Sequence, residues 1–441
     1  MGGRRRGGDL RRHIGRHRHV PASRRTAAHP RNRPRHRAAN GLRLAGDPVN
    51  ALDHHLITIT QRPPTVFVEG HGAWLQDESG KRHLDLVQGW AVNCLGHSPA
   101  VITEALLAQS RRLLNPSPAY YSRPLLALAA RLSEVSGFDR VFLANSGAEA
   151  NEGAVKLARR WGSRHREGAF EIVGFEQGFH GRTLAMMSAS GKPGWGDIYA
   201  PMPTGFTKAR LNDIGSVERA LSAQTVAVMI EFVQGEAGVV VADPGFVREL
   251  RALTAERGVL LMADEVQTGV GRCGPAFAFE HYGVEPDVMT LAKGLGGGVP
   301  LAALLCRERL NCFEPGDQGG TFCGNPLMAA VGLAVLDTVC QPAFLAGVHA
   351  RAAQLSEGLQ AIVREHGLVG ERGLGLLRAL ELPTPVAPAV VTAAQALAPV
   401  GLLLNAPRPH LLRFMPALNI SAAEVDEGLA LLRRALRAAG L

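Results

Sequence analysis

An α/β fold with a mostly parallel sheet, followed by a smaller α+β region, is what the sequence predicts. Three observations carry this. Short apolar runs of strand length recur at 141–144, 172–175, 226–230, 259–263 and 288–292. Stretches with helical spacing separate several of them, and a repeating strand–helix–strand order favours a parallel sheet with crossover helices. The runs break into glycine, amide and acidic residues at their C-terminal ends, the edge where open α/β sheets bind ligands.

A chain of 441 residues exceeds one ordinary core and suggests two or three domains. Hydrophobic residues at 46% and charged residues at 20% are ordinary for a soluble globular protein. The six cysteines form no C-x-x-C pair and no metal-ligand spacing, so they read as reduced thiols in a cytoplasmic protein, and no metal is expected. The net charge of +9 is misleading. Residues 1–50 hold fourteen arginines, two aspartates and no lysine, so the rest of the chain carries about −3. A nucleic-acid partner would need a basic patch on the folded body and is discounted. The head itself has no apolar periodicity and reads as a disordered extension. It resembles either an organellar transit peptide or upstream sequence from a misplaced start, and no function is assigned to it. The expected organisation is this extension (1–50), an N-terminal segment belonging with the small domain (51–100), a large domain (101–325) and a C-terminal small domain (326–441).

Taken in order, Thr65, Phe67 and Glu69 alternate with Val66 and Val68, and residues 74–81 read as a hairpin turning near Ser79-Gly80. A helix begins near Ser98-Pro99, and His97 before it reads as a structural hydrogen bonder. The run 141–144 breaks at Asn145-Ser146-Gly147-Ala148 into a helix through Val155, Leu157 and Trp161; such an N-terminus offers free N–H groups and suits a phosphate. After 172–175 come Gly178, Phe179, His180, Gly181 and Arg182. This is either a surface loop with a buried Phe, or an aromatic that stacks on a planar ring beside an arginine that clamps a carboxylate. The next strand ends at Glu231, with Gln234-Gly235-Glu236 beyond. Asp243-Pro244 caps a helix marked by Val247, Leu250 and Leu253, which stops at Gly258. Beyond residue 300 follow a strand at 301–306, a polar glycine-rich turn at 319–325 and a helix opened by Pro326. Residues 382–407 carry no charge, but five prolines exclude a membrane helix. Strands at 401–404 and 411–414, the second holding Arg413, precede a last helix with a Ser421–Glu424 capping box.

The stretch 258–293 organises the rest. Its first strand ends at Asp264, and Lys293 follows twenty-nine positions later, closing a second apolar run. A crossover between parallel strands takes about 30 residues, so acid and amine can meet at one sheet edge. Alone, each is commonly a cap or a solvated charge. Together they suit pyridoxal 5′-phosphate, which needs a lysine for its aldehyde and a carboxylate for its ring nitrogen.

Across residues 55–440 the blocks 145–151, 179–182, 231–236 and 264–267, with Lys293 and Gly320-Thr321, resemble in order and spacing the class III (ω-amino-acid) aminotransferases of pyridoxal-phosphate fold type I. Segments 91–97 and 413–419 are most similar to the branch that acts on N²-acetylornithine. Two departures are Phe232, where the family usually has proline, and Cys323, where it often has glycine or another small or polar residue. The resemblance implies Lys293 and Asp264 as catalytic residues. It implies a cofactor site of Gly147, Ala148, Phe179, Asp264, Glu265, Val266, Gln267, Lys293 and Thr321, and substrate contacts from Arg182, Gly320, Glu236 and Arg413. It also implies acetylornithine and glutamate or 2-oxoglutarate as substrates, with ornithine, succinylornithine or 4-aminobutyrate as alternative donors, arginine biosynthesis, and a homodimer in which Thr321 reaches the neighbouring subunit's cofactor phosphate.

Overall fold

The seven strands that carry the cavity described below belong to one sheet, and the chain builds it in steps. The computed structural model describes residues 55–441, so the arginine-rich head and the expectation attached to it lie outside the described residues. The chain from Thr60 to Leu441 forms one unit. It opens with β1 (Phe67–His71), β2 (Trp74–Asp77) and β3 (Arg82–Asp85). Asp77 Oδ1 accepts from the Ser79 and Lys81 amides at 3.0 and 3.1 Å and closes the expected turn. His97 Nε2 lies 2.9 Å from Asp85 Oδ2, the structural role its position suggested.

One element was not foreseen. In α1 (Gln88–Ala91) all four residues have positive φ, a single left-handed turn. Only Gly89 adopts this freely, and each other residue costs about 1–2 kcal/mol. The turn is anchored at its start, where Asp85 Oδ1 accepts from the Val87 and Gln88 amides at 2.8 and 2.9 Å.

Helices α2 (Ala100–Ser110) and α3 (Arg123–Ser136) lead to β4 (Arg140–Ala144) and α4 (Gly147–His165). After β5 (Glu171–Phe175) come α5 (Leu184–Ala189), α6 (Trp195–Ile198), β6 (Phe206–Ala209), α7 (Ile214–Ala220) and β7 (Thr225–Ile230). A small hairpin, β8 (Val233–Gln234) and β9 (Val240–Val241), precedes α8 (Pro244–Glu256), whose N-cap Asp243 accepts from two amides as its position predicts. Then follow β10 (Leu260–Asp264), β11 (Val288–Leu291) and β12 (Ala302–Cys306). The C-terminal part comprises α9 (Pro326–Val339), α10 (Pro342–His366), β13 (Gly370–Leu374), β14 (Leu377–Glu381), α11 (Ala387–Ala396), β15 (Gly401–Leu403), β16 (Asn405–Arg408), β17 (Leu411–Phe414) and α12 (Ala422–Ala438). The uncharged stretch 382–407 thus divides into a helix and two strands. Among the described residues no single helix is long and apolar enough to cross a membrane.

The seven-stranded sheet has the order β4-β12-β11-β10-β7-β5-β6. Its contiguous pairs from β11 to β6 are parallel; β12 runs antiparallel to both neighbours. Every residue of β7, β10 and β11 is buried, as a parallel sheet covered on both faces requires. Alternate side chains feed two separate cores. Val228, Ile230, Leu261, Ala263, Met289 and Leu291 join one, while Ala227, Met229, Leu260, Met262 and Val288 join the other. The strand ends are therefore held between two packed layers, which fixes the polar residues that follow them. A second sheet joins β1-β2-β3 to β15, and a third has the order β13-β14-β17-β16.

Candidate active site

At the C-terminal end of β10, Asp264 is 3% exposed and fully engaged. Its Oδ2 accepts from Asn151 Nδ2 at 2.8 Å and lies 2.7 Å from His180 Nδ1, while Oδ1 accepts from the Val266 amide at 3.0 Å. Asn151 comes from α4 and is fixed in turn by Thr290, whose Oγ1 donates to Asn151 Oδ1 at 2.6 Å. Asp264 faces a cavity of about 340 Å³, also lined by Gly147, Ala148, Phe179, Glu231, Val266, Gln267 and Lys293.

The floor beneath this cavity is close-packed. Gly147 opens α4, and a Cβ there would lie 2.7 Å from Val266 Cγ1. Ser146 and Glu149 form a capping box, with Glu149 Oε2 accepting from the Asn145 and Ser146 amides. Gly147 and Ala148 head a nineteen-residue helix, so their N–H groups have no intrahelical acceptor. On the other side, a Cβ at Gly235 would lie 1.6 Å from Gln267 Oε1, so glycine alone lets Gln267 into the cavity. Gln267 Nε2 is buried without a hydrogen-bond partner.

Lys293 follows β11 with φ 44°, an unfavourable backbone state for lysine. Burial, with the Arg413 charge added, lowers its amine to about 8. Arg413, on β17, is 1% exposed; its Nε donates to Asn405 Oδ1 at 2.9 Å and its Nη1 lies 2.8 Å from Glu236 Oε1. Partial burial works against the Glu236 charge, but the Arg413 guanidinium prevails and holds that carboxyl below its ordinary range. Glu231, after β7, is buried and accepts the Phe179 amide at 2.8 Å.

Comparison with known proteins gives the family of the chain. The family described as Aminotransferase class-III matches residues 58–436. The chain belongs to the class III aminotransferases. It is 59% identical over 377 residues to a protein of Bordetella bronchiseptica named acetylornithine aminotransferase 2, covering 86% of this chain and 94% of that one. It is 57% identical to an acetylornithine aminotransferase of Ralstonia nicotianae, covering 87% and 98%. Among solved structures it resembles an ornithine aminotransferase from Toxoplasma gondii (TM-score 0.83, 30% identity, 88% and 94% covered). It likewise resembles the N-acetylornithine aminotransferase from Stenotrophomonas maltophilia (TM-score 0.75, 36% identity, 88% and 98% covered).

This class III aminotransferase is a pyridoxal-phosphate-dependent transaminase of the α/β fold, and its cavity suits that cofactor. Two open helix N-terminal amides suit a phosphate. Phe179 and Val266 present apolar faces, Gln267 has an unused amide donor, and an acid and an amine both line the same space.

Of the residues singled out from sequence, Gly147, Ala148, Phe179, Glu236, Asp264, Val266, Gln267 and Lys293 line the cavity. Arg413 reaches it through Glu236. Glu265 does not line it. Side chains alternate along an extended strand end, so Asp264 and Val266 face the cavity while Glu265 accepts the Ala278 and Phe279 amides at 2.7 and 2.8 Å. Burial raises its carboxyl to about 7. Arg182 is exposed, its guanidinium carbon 5.8 Å from the ring centroids of both Phe179 and Trp195. Gly320 and Thr321 are also exposed, and Asn115 Nδ2 donates to Thr321 O at 3.4 Å. Sequence reasoning gave no site role to Asn151, His180 or Glu231. Each lay inside a block already noted, and its polarity amid buried neighbours was the available signal.

Proposed function

We propose that this aminotransferase moves the δ-amino group of N²-acetylornithine to 2-oxoglutarate, as a cytoplasmic homodimer serving arginine biosynthesis. The observation that carries the transamination is the presence of Lys293 and Asp264 on one cavity, with the Glu236–Arg413 pair at its side. The donor is supported by the 57% and 59% identity to proteins named acetylornithine aminotransferase.

Bound pyridoxal phosphate supplies an electron-withdrawing ring that acidifies the C–H bond beside the amino group. Lys293 would hold the cofactor through its aldehyde, and its free amine would supply the base that moves a proton during transfer. Its lowered proton affinity suits a base working near neutrality. Asp264, fixed by Asn151 and His180, would pair with the ring nitrogen. Phe179 and Val266 would pack against the ring and fix its orientation. Gln267 would donate to the phenolic oxygen, and the Gly147 and Ala148 amides would hold the phosphate. Gly320 and Thr321 serve the neighbouring subunit's site. Arg182 takes the carboxylate remote from the reacting amine. Arg413 takes the α-carboxylate of glutamate, and Glu236 masks that charge when the ω-amine donor is bound.

Initial rates with acetylornithine, ornithine, succinylornithine and 4-aminobutyrate, followed as glutamate formed from 2-oxoglutarate, test the donor. The reading requires the highest kcat/KM for acetylornithine. Ornithine is the second candidate, favoured by the fold match to the Toxoplasma enzyme. Lys293→Ala must abolish turnover; undiminished turnover overturns the reaction class.

A further inference from the structure

The buried acid that this scheme leaves idle is Glu231. We infer that Glu231 is a positioning residue working as a neutral carboxylic acid: it fastens Phe179 by its backbone amide and adds no charge of its own beside Asp264. The inference rests on the cavity being the cofactor site.

Strand register places the two acids side by side. Ala263 pairs with Ile230 between parallel strands β10 and β7, so Asp264 and Glu231 are the next residues along these neighbouring strands. Adjacent strands lie about 4.8 Å apart, and two carboxyls that close in a poorly hydrated cavity do not both ionise readily. Their surroundings decide which one does. Asp264 has Asn151 Nδ2, His180 Nδ1 and the Val266 amide. Glu231, 7% exposed, has the Phe179 amide at 2.8 Å. The proton therefore stays on Glu231. Burial first, then the neighbouring Asp264, push its carboxyl well above the ordinary range.

The charged and titratable groups that face Glu231 are Asp264 from β10, Glu236 from the segment after β8, and Lys293 from the segment after β11. His180 adds an imidazole: a Cβ on Gly178 would lie 3.3 Å from Glu231 Oε2 and 3.5 Å from His180 Nε2. Lys293 opposes neutrality, while Glu236 and Asp264 favour it. The Glu231 carboxyl accepts the amide of Phe179 itself, so its loss removes the tether at that residue, while His180 beside it stays held by Ser190 and Asn151.

Two variants separate charge from shape. E231Q keeps shape and neutrality; E231A removes both the carboxyl and the anchor. Three readouts apply to the full-length protein. The first is the infrared carbonyl band of a protonated carboxylic acid, in the wild-type minus E231Q difference spectrum of cofactor-free protein at neutral pH. The second is the pH titration of the visible absorption of the bound cofactor. The third is the Kd for pyridoxal phosphate. The inference requires the acid band in wild type, a titration in E231Q superimposable on wild type, and a Kd about tenfold weaker in E231A but near wild type in E231Q. Absence of the band, or a titration displaced by about 1 unit or more in E231Q, shows an ionised Glu231 and overturns it. So does an E231A protein that binds the cofactor like wild type. Wild-type protein with no affinity for pyridoxal phosphate would instead remove the reading of the cavity, a different result from any of these.

Discussion

Replacing Glu236 by alanine tests how one cavity accepts two unlike substrates. The carboxylate it removes lies 2.8 Å from Arg413 Nη1, and Arg413 is 1% exposed. A hydrogen bond to a charged group contributes about 1.5–3 kcal/mol. The Glu236 side chain is 41% exposed, so solvent screening lowers this to about 1–2 kcal/mol. That free energy masks Arg413 while the ω-amine donor is bound and must be given up when glutamate binds. Removing it therefore favours glutamate, and the ratio of kcat/KM for glutamate over acetylornithine rises by about 5- to 30-fold. The assay is the separate half-reaction of each donor with the holoenzyme, followed by stopped-flow absorbance. A second effect has a fixed sign. Glu236 raises and Arg413 lowers the proton affinity of Lys293, so its loss moves Lys293 below about 8 and shifts the acid limb of apoenzyme reconstitution downward. An unchanged substrate ratio would refute the masking role.

Three further outcomes follow from the same geometry. Recombination of cofactor-free protein with pyridoxal phosphate, which needs the unprotonated Lys293 amine, rises with pH through about 8. At pH 7 the reactive fraction is about 10%, some 300-fold above that of an ordinary lysine, and the pH dependence of the recombination rate measures it. Asp264→Ala strands the Asn151 and His180 donors, costing about 2–5 kcal/mol in chemical denaturation and lowering kcat by at least about 100-fold. Gly235→Ala drives Gln267 from its place, at about 1–3 kcal/mol of overpacking, and cofactor titration shows weaker binding with the fold retained.

The sequence was informative where burial is complete. Strands β7, β10 and β11 stood out because they are buried on both faces and built almost wholly from apolar residues, and the cavity begins where those runs stop. Helix starts at Ser146, Asp243 and Ser421 were legible because a side chain must satisfy free amides there. What stayed hidden depends on distant partners. Nothing local marks Asn151 as an Asp264 ligand rather than a solvated helix residue, because the strand end it meets lies 113 positions away. The Glu265 side chain bonds the Ala278 and Phe279 amides, and adjacency in a motif does not reveal which way a side chain alternates. The left-handed turn at Gln88–Ala91 contains one glycine, so local preference argued against it, and the antiparallel sense of β12 has no local signature at all.

The clamp on Asp264 has a consequence for how the molecule comes to exist. Its two side-chain partners are 84 and 113 residues upstream, so neither bond can form until distant strands have met. Such non-local closure is slow to reach. Competence to capture pyridoxal phosphate therefore arises late, and once captured the ligand stabilises only the finished topology. Bound pyridoxal phosphate thus adds stability to correctly assembled chains alone.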